Sequence, residues 1–263
     1  MENRIKMIIT DLDRSLLNNE REITDFTRKI LAECIRKGIL IVFATARPLR
    51  AVRMFYHSII PNAIICHSGA DVYINEQRLY QCGIDPVIVR GIYKKILNDY
   101  PEINFAYEWN DELFTNFDPA IYWGKIPYRD IDFELLADRN IDKIIIGLEI
   151  IKEYHEIEKY LTKELYFEIS EGLIGMIMNK RASKWNGIKE LLKYYKIKVE
   201  ETIAFGDDII DIEMIEKCGI GVSVENGIEE VKRRAKYICG KNNEDGIAKW
   251  IEEKILKSGQ NSI

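Results

Sequence analysis

The chain has 263 residues, with 38 Lys and Arg against 43 Asp and Glu, a formal net charge of −5. That length admits one large domain or two small ones, and a 47% hydrophobic content can fill a sizeable core. The acidic balance argues against nucleic acid as a partner, because phosphate backbones select basic surfaces. Five cysteines (Cys34, Cys66, Cys82, Cys218 and Cys239), an odd number with no Cys-x-x-Cys pair, exclude a tidy disulfide framework and a zinc ribbon. Most of them read as buried reduced thiols of a cytosolic protein. No signal-peptide stretch precedes Asp11, and no window approaches the ~18 apolar residues of a membrane span. The expectation is a cytoplasmic protein with no membrane partner, ending in a short polar tail, KSGQNSI.

The first element is a short β-rich run, Lys6 to Thr10 (KMIIT), predicted as a buried parallel strand that ends in acidic residues. Thr24 then caps a helix whose stripe is Phe26, Ile30, Leu31, Cys34 and Ile35, with Gly38 as its stop. Leu40 to Ala44 (LIVFA) is a second strand, followed by Thr45-Ala46-Arg47-Pro48 and a helical pattern through Arg53 to His57. Ala63 to Cys66 is a third. Strands alternating with helices predict a parallel α/β sheet. After Gly69 the rhythm changes. DVYINEQRLY alternates around Asn75-Glu76 and predicts a hairpin. A helix (Pro86 to Asp99), a strand pair (FAYEWN, ELFTN), a strand (KIIIGLE), a helix (Glu153 to Leu165) and a second strand pair (YFEIS, IGMIMN) follow. From Lys184 the strand–helix alternation returns through TIAFGD, GIGVSV and YICG. The fold class is α/β: a Rossmann-like parallel-sheet core, 1–82 and 180–263, interrupted by an inserted α+β module, 83–179.

Four features carry chemistry. Asp11-Leu12-Asp13 closes the first strand, and alternation on an extended chain would turn both carboxylates to one face. At the carboxyl end of a parallel strand they would look into the crevice where α/β folds bind ligands, and two adjacent carboxylates require a cation or a proton between them. Thr45, with the backbone that follows it, can hold a phosphate oxygen. Lys184 opens the helix SKWNGIKELLKYY. Asp207, Asp208 and Asp211 follow a buried strand and Gly206, and acids so placed can ligate a hard cation. Taken singly, each has an ordinary explanation: a turn Asp, a helix-capping Thr, a surface Lys, or an acidic N-cap for Asp208 and Asp211.

Taken in order, DLDRSLL, FATAR, SKWNGI and AFGDDIIDIEM resemble the four motifs of the haloacid dehalogenase (HAD) phosphatase superfamily. Within it they resemble the Cof-type branch with a type-IIB cap. The family pattern is D-x-D-G-T-L-L, T-G-R, K-G-x-A-L and G-D-x-x-N-D, and the resemblance covers nearly the whole chain, including the insert. Five positions depart from that pattern. Arg14 stands for Gly, with Ser15 keeping the hydroxyl of Thr. Ala46 and Trp185 also stand for Gly, and Ile210 stands for Asn.

The resemblance implies a Mg²⁺-dependent phosphatase of small phosphorylated metabolites, sugar phosphates foremost. In it Asp11 is the nucleophile and Asp13 the general acid and base. Ser15, Thr45, Ala46, Arg47 and Lys184 hold the phosphate and its transferring oxygens, with Lys184 counted among the catalytic groups. Mg²⁺ is held by Asp11, Asp207 and the backbone carbonyl of Asp13, with Asp211 and Asp208 in support. Cap aromatics Tyr107, Trp109, Tyr122 and Trp123 either stack on substrate or pack in the cap. A phosphotransferase or phosphomutase on the same scaffold, or a catalytically weak phosphometabolite-binding protein, satisfies the same four motifs.

Overall fold

Strand β1 (Met7–Thr10) is buried along its whole length because it lies mid-sheet with both faces covered. The computed structural model describes residues 5–136, 139–151, 153–170 and 172–257, so the KSGQNSI tail lies outside the described residues except for its first residue, Lys257. Helix α1 (Asp25–Arg36) begins where the Thr24 hydroxyl accepts from Thr27 N at 3.1 Å, and stops at Gly38, whose φ of +79° few other residues adopt. Then come β2 (Leu40–Ala44), α2 (Leu49–Val52), β3 (Ala63–Cys66), β4 (Asp71–Ile74) and β5 (Gln77–Gln81). The β4–β5 turn is Asn75-Glu76, with φ of 47° and 64°, the paired positive values of a type I′ hairpin.

The middle of the chain supplies α3 (Pro86–Asp99), β6 (Phe105–Trp109), β7 (Glu112–Thr115), α4 (Ala120–Trp123), β8 (Arg129–Asp130), β9 (Lys143–Gly147), β10 (Leu165–Ser170) and β11 (Ile174–Asn179). The last part supplies α5 (Lys184–Tyr195), β12 (Thr202–Gly206), α6 (Ile212–Lys217), β13 (Ile220–Val224), α7 (Glu229–Arg234), β14 (Tyr237–Cys239) and α8 (Gly246–Ile251). The chain divides into two units, Met1–Tyr80 with Ser183–Ile263, and Gln81–Ala182.

The first unit is built on an eight-stranded sheet in the order β14-β13-β12-β1-β2-β3-β4-β5. Strands β14 to β3 are parallel, and β4 runs antiparallel to β3. Ile8 faces one apolar layer with Leu31, Phe43, Phe205 and Ile251, while Met7 and Ile9 face another with Ile65, Ile188, Leu191 and Met214. Helices thus cover both faces, and the mainly parallel α/β sheet read from the sequence is present. The second unit is a six-stranded sheet, β10-β11-β9-β6-β7-β8, antiparallel except for β7 with β8. Val89, Ile92 and Ile96 of α3 pack on Phe105, Tyr107, Ile144 and Ile146.

Three local expectations are corrected. The helix placed over Glu153 to Leu165 is a 3₁₀ segment, Tyr154–Tyr160, and Leu165 already belongs to β10. Its buried anchors, Ile157 and Tyr160, stand three residues apart, the period of a 3₁₀ turn. The helical pattern toward His57 ends sooner: α2 passes into a 3₁₀ turn, Arg53–Phe55. Asp11 and Asp13 lie beyond the end of β1, on an irregular turn rather than on a strand. No helix among the described residues is long and apolar enough to cross a membrane.

All five cysteines are free and buried, and burial pushes the Cys34 thiol up to about 11 and those of Cys218 and Cys239 up to about 12. A thiol reagent at pH 8 should therefore leave the native protein essentially unlabelled and titrate five thiols after denaturation. Rapid native labelling of two or more would show that these sites open readily.

Candidate active site

The site starts from strand adjacency. β1 lies between β12 and β2, with Thr10 in register with both Phe205 and Phe43, so the three carboxyl ends emerge side by side. Asp11, Asp207 and Thr45 each follow one of these ends. The Asp11 backbone N–H donates to Phe205 O at 2.9 Å, fixing the first turn against β12. Arg14 then takes a left-handed φ of 59°, at the position where the family pattern has Gly. Its carbonyl accepts from Asn226 Nδ2 at 2.7 Å, the Asn226 side-chain oxygen accepts from Asn242 N at 2.8 Å, and Asn242 Nδ2 donates to Leu17 O at 2.9 Å. Two asparagines therefore brace the turn that presents the acids. The sequence reading did not single them out; the Asn226-Gly227 turn dipeptide was the available signal.

Lys184 is the centre of the cluster. Ser183 caps α5, its hydroxyl accepting from Asn186 N at 3.2 Å, and this sets Lys184 at the first helical position. Its ammonium, fully buried, donates to Asp11 Oδ1 and to Asp211 Oδ1, both at 2.6 Å. Asp211 also accepts from the backbone N–H groups of Asp207 and Asp208 at 3.0 and 3.2 Å. It packs so tightly over Gly206 that a Cβ there would lie 2.5 Å from its side chain. Ser15 donates to Asp207 Oδ1 at 2.9 Å, tying the first turn to the end of β12.

Asp11, Asp207 and Asp211 thus converge, with carboxylate oxygens within 4.8 Å of one another. Asp13 does not join them. Both its oxygens are gripped by Arg47, at 2.7 Å from Nε and 2.5 Å from the terminal nitrogen, and the guanidinium also lies over the Phe55 ring. Thr45 is buried, and its hydroxyl accepts from Arg47 N at 3.1 Å, closing its own loop; Ala46 lies between them, half-buried. Asp208 is exposed and accepts from Ile209 N at 2.7 Å, an N-cap in the structure as in the simpler reading. Of the four cap aromatics, Tyr107 is fully buried and stacked on Phe114 at 4.8 Å, so it is core. Trp109 packs on Phe114 beneath the Arg139 guanidinium, and Tyr122 bonds Asn104 and Glu149. Trp123 is exposed.

Three buried acids face one buried cation, and the charges do not balance. Burial alone would push the Lys184 ammonium down, but Asp11 and Asp211 hold it above the ordinary lysine value. Burial raises Asp11 well above the carboxylate range; Lys184 draws it back, while Asp211 and Asp207 push it further up. Burial and the Asp211 charge raise Asp207 to about 6. A second cation among these oxygens would let all three ionise. An all-oxygen donor set without Cys or His suits a hard divalent ion, so these residues fit a metal site.

A parallel sheet carrying an acidic cluster and a buried lysine at its carboxyl edge is an arrangement suited to phosphoryl transfer. A family model described as haloacid dehalogenase-like hydrolase matches residues 8–251. The chain belongs to that family, and it is a phosphatase-type hydrolase. It is 27% identical over 259 residues to the 5-amino-6-(5-phospho-D-ribitylamino)uracil phosphatase YcsE of Bacillus subtilis, covering 96% of each. It superposes on TM0651 from Thermotoga maritima with a TM-score of 0.84 at 24% identity, over 94% of this chain and 97% of that one. It superposes on the HAD subclass IIB sugar phosphatase BT4131 with a TM-score of 0.79 at 22% identity, over 94% and 98% of the two chains.

Lys184→Met keeps most of the unbranched apolar stem and removes the ammonium. In chelator it should cost about 3–5 kcal/mol by urea denaturation, because it leaves buried carboxylates without their cation. A loss below about 1 kcal/mol would show that water, not Lys184, compensates them.

Proposed function

We propose that this phosphatase is Mg²⁺-dependent and hydrolyses small phosphorylated metabolites, sugar phosphates foremost, through an aspartyl-phosphate on Asp11. The observation that carries the reading is the Lys184 ammonium 2.6 Å from both Asp11 and Asp211, with Asp207 completing the acidic cluster. Asp11, Asp207 and the Asp13 backbone carbonyl would hold the ion, with Asp211 behind them. When bound, the ion neutralises phosphate charge so that a carboxylate can approach phosphorus.

The rest is the work of the chain's own residues. An Asp11 oxygen forms a bond to phosphorus as the ester P–O bond breaks, and Asp13 gives the leaving oxygen its proton. Asp13 then takes a proton from water, which attacks phosphorus, frees phosphate and restores Asp11. Arg47 engages both Asp13 oxygens, so Asp13 must release at least one of these contacts to act as an acid. Ser15, Thr45 and Lys184 position the transferring oxygens, and Ala46 and Arg47 complete the phosphate loop. The inserted module, 83–179, discriminates among substrates. Buried free thiols favour a reducing, cytoplasmic setting.

A panel of phosphorylated sugars, nucleotides and cofactors, assayed for free phosphate, tests this. Activity should vanish in chelator and return with Mg²⁺, and Asp11→Asn should lose at least about 10³-fold in kcat with its circular dichroism unchanged. Near-wild-type turnover by Asp11→Asn would remove it as nucleophile, and an isomeric sugar phosphate without free phosphate would make the enzyme a mutase. Trp123→Ala should alter kcat/KM toward particular substrates while sparing p-nitrophenyl phosphate. An equal loss on every ester would make Trp123 a packing residue only.

A further inference from the structure

The turn after β3, His67-Ser68-Gly69, takes three successive positive φ values, 49°, 54° and 108°. Such a run is costly for side-chain-bearing residues and persists only where its surroundings hold it. Two surroundings are visible. The N–H groups of His67 and Ser68 donate to Arg47 O and Thr45 O at 3.1 and 3.0 Å, so the turn is fastened to the loop after β2. On its other side Gly69 meets Ser183. A Cβ on Gly69 would lie 2.0 Å from Ser183 O, 2.3 Å from its carbonyl carbon and 2.8 Å from its N. These are backbone atoms, which cannot step aside as a side-chain tip does.

Ser183 is the cap of α5 and the residue before Lys184. Its carbonyl accepts from Gly187 N at 3.1 Å, and Gly187 in turn sits so close to β3 that a Cβ would lie 2.8 Å from Ile65 Cγ2. The start of α5 is therefore located by two glycines, one where the turn meets the cap and one where the helix crosses β3. Lys184 makes two charge-assisted bonds of 2.6 Å to different carboxylates, an arrangement with little tolerance for a shift of its own backbone.

We propose that Gly69 is a positioning residue that acts through Lys184: the bare backbone at 69 lets Ser183 come close enough for the ammonium to bridge Asp11 and Asp211. The proposal rests on the catalytic reading of Lys184 given above. Any side chain at 69 pushes the cap outward and takes the ammonium with it.

The test compares Gly69→Ala with Gly38→Ala. Gly38 has a φ of +79° with nothing within 4 Å of a built Cβ, so it carries the same kind of backbone strain without the close approach. With p-nitrophenyl phosphate and saturating Mg²⁺, Gly69→Ala should lose about 10- to 100-fold in kcat with KM within about threefold, the scale expected for a displacement near 1 Å. Gly38→Ala should keep kcat while both variants lose thermal stability. Equal kcat losses, or a Gly69→Ala change below about twofold, overturn the proposal. In a Lys184→Met background, Gly69→Ala should cost less than about twofold more; a further tenfold loss would show that it acts elsewhere. If the wild type freed phosphate from no ester, the catalytic reading would fall. The positioning claim would still be decided by urea denaturation in chelator, where losses from Gly69→Ala and Lys184→Met that fall short of their sum support it and strictly additive losses overturn it.

Discussion

One ammonium group lodged against two carboxylates, with a third beside them, is the constraint on which the rest of the molecule depends. Coulomb attraction at 2.6 Å in a buried setting is strong, but so is the desolvation that precedes it, and the arrangement is favourable only if every partner is held in place. Holding them takes most of the first unit. β1 and β12 must be neighbours to bring Asp11 to Asp207, α5 must begin at Ser183, and Gly206 must leave room for Asp211. The apolar layers on both faces of the sheet supply the rigidity that a cluster of like charges could not supply for itself.

Much of this was legible in the residues. The central strands are unbroken apolar runs ending in Asp or Thr, and such runs have few alternatives to a buried parallel strand. α1, α3 and the β4–β5 hairpin carried their own punctuation in Thr24, Gly38, Pro86 and Asn75-Glu76. The misses were of two physical kinds. The stretch from Glu153 has the composition of a helix, yet only Ile157 and Tyr160 are buried, and tertiary contacts chose the tighter turn. Alternation puts Asp11 and Asp13 on one face, but the chain leaves the strand before Asp11, and Arg47, thirty-four positions from Asp13, claims the Asp13 carboxylate. Partners so distant in sequence leave no local trace. Asn226-Gly227 marks a turn, but nothing local marks the carbonyls of Arg14 and Leu17 that Asn226 and Asn242 bond.

The departures from the family pattern become intelligible in structural terms. Arg14 occupies the left-handed conformation that Gly would take freely, with Asn226 gripping its carbonyl. Trp185 is buried in the apolar layer under α5, where it anchors the helix that presents Lys184, and Lys217 lies over its ring. Ile210 is half-buried beside Asp211 and offers no polar atom to the cluster. Asp211 accordingly takes its hydrogen bonds from two backbone N–H groups and Lys184.

The order of strands has a consequence for how the chain is made. β1 is synthesised well before β12, yet it pairs on one side with that strand, whose Thr202 aligns with Met7. Nearly two hundred residues, including the whole six-stranded second unit, must leave the ribosome first. At ordinary translation rates of ~5–20 residues per second that is an interval of roughly 10–40 s. During it β1 and β2 can pair with each other but present an open apolar edge, the kind of surface that recruits other strands. Pairing with β12 is what closes that edge, so the order of strands leaves β1 with one unpaired side until the second unit has been made.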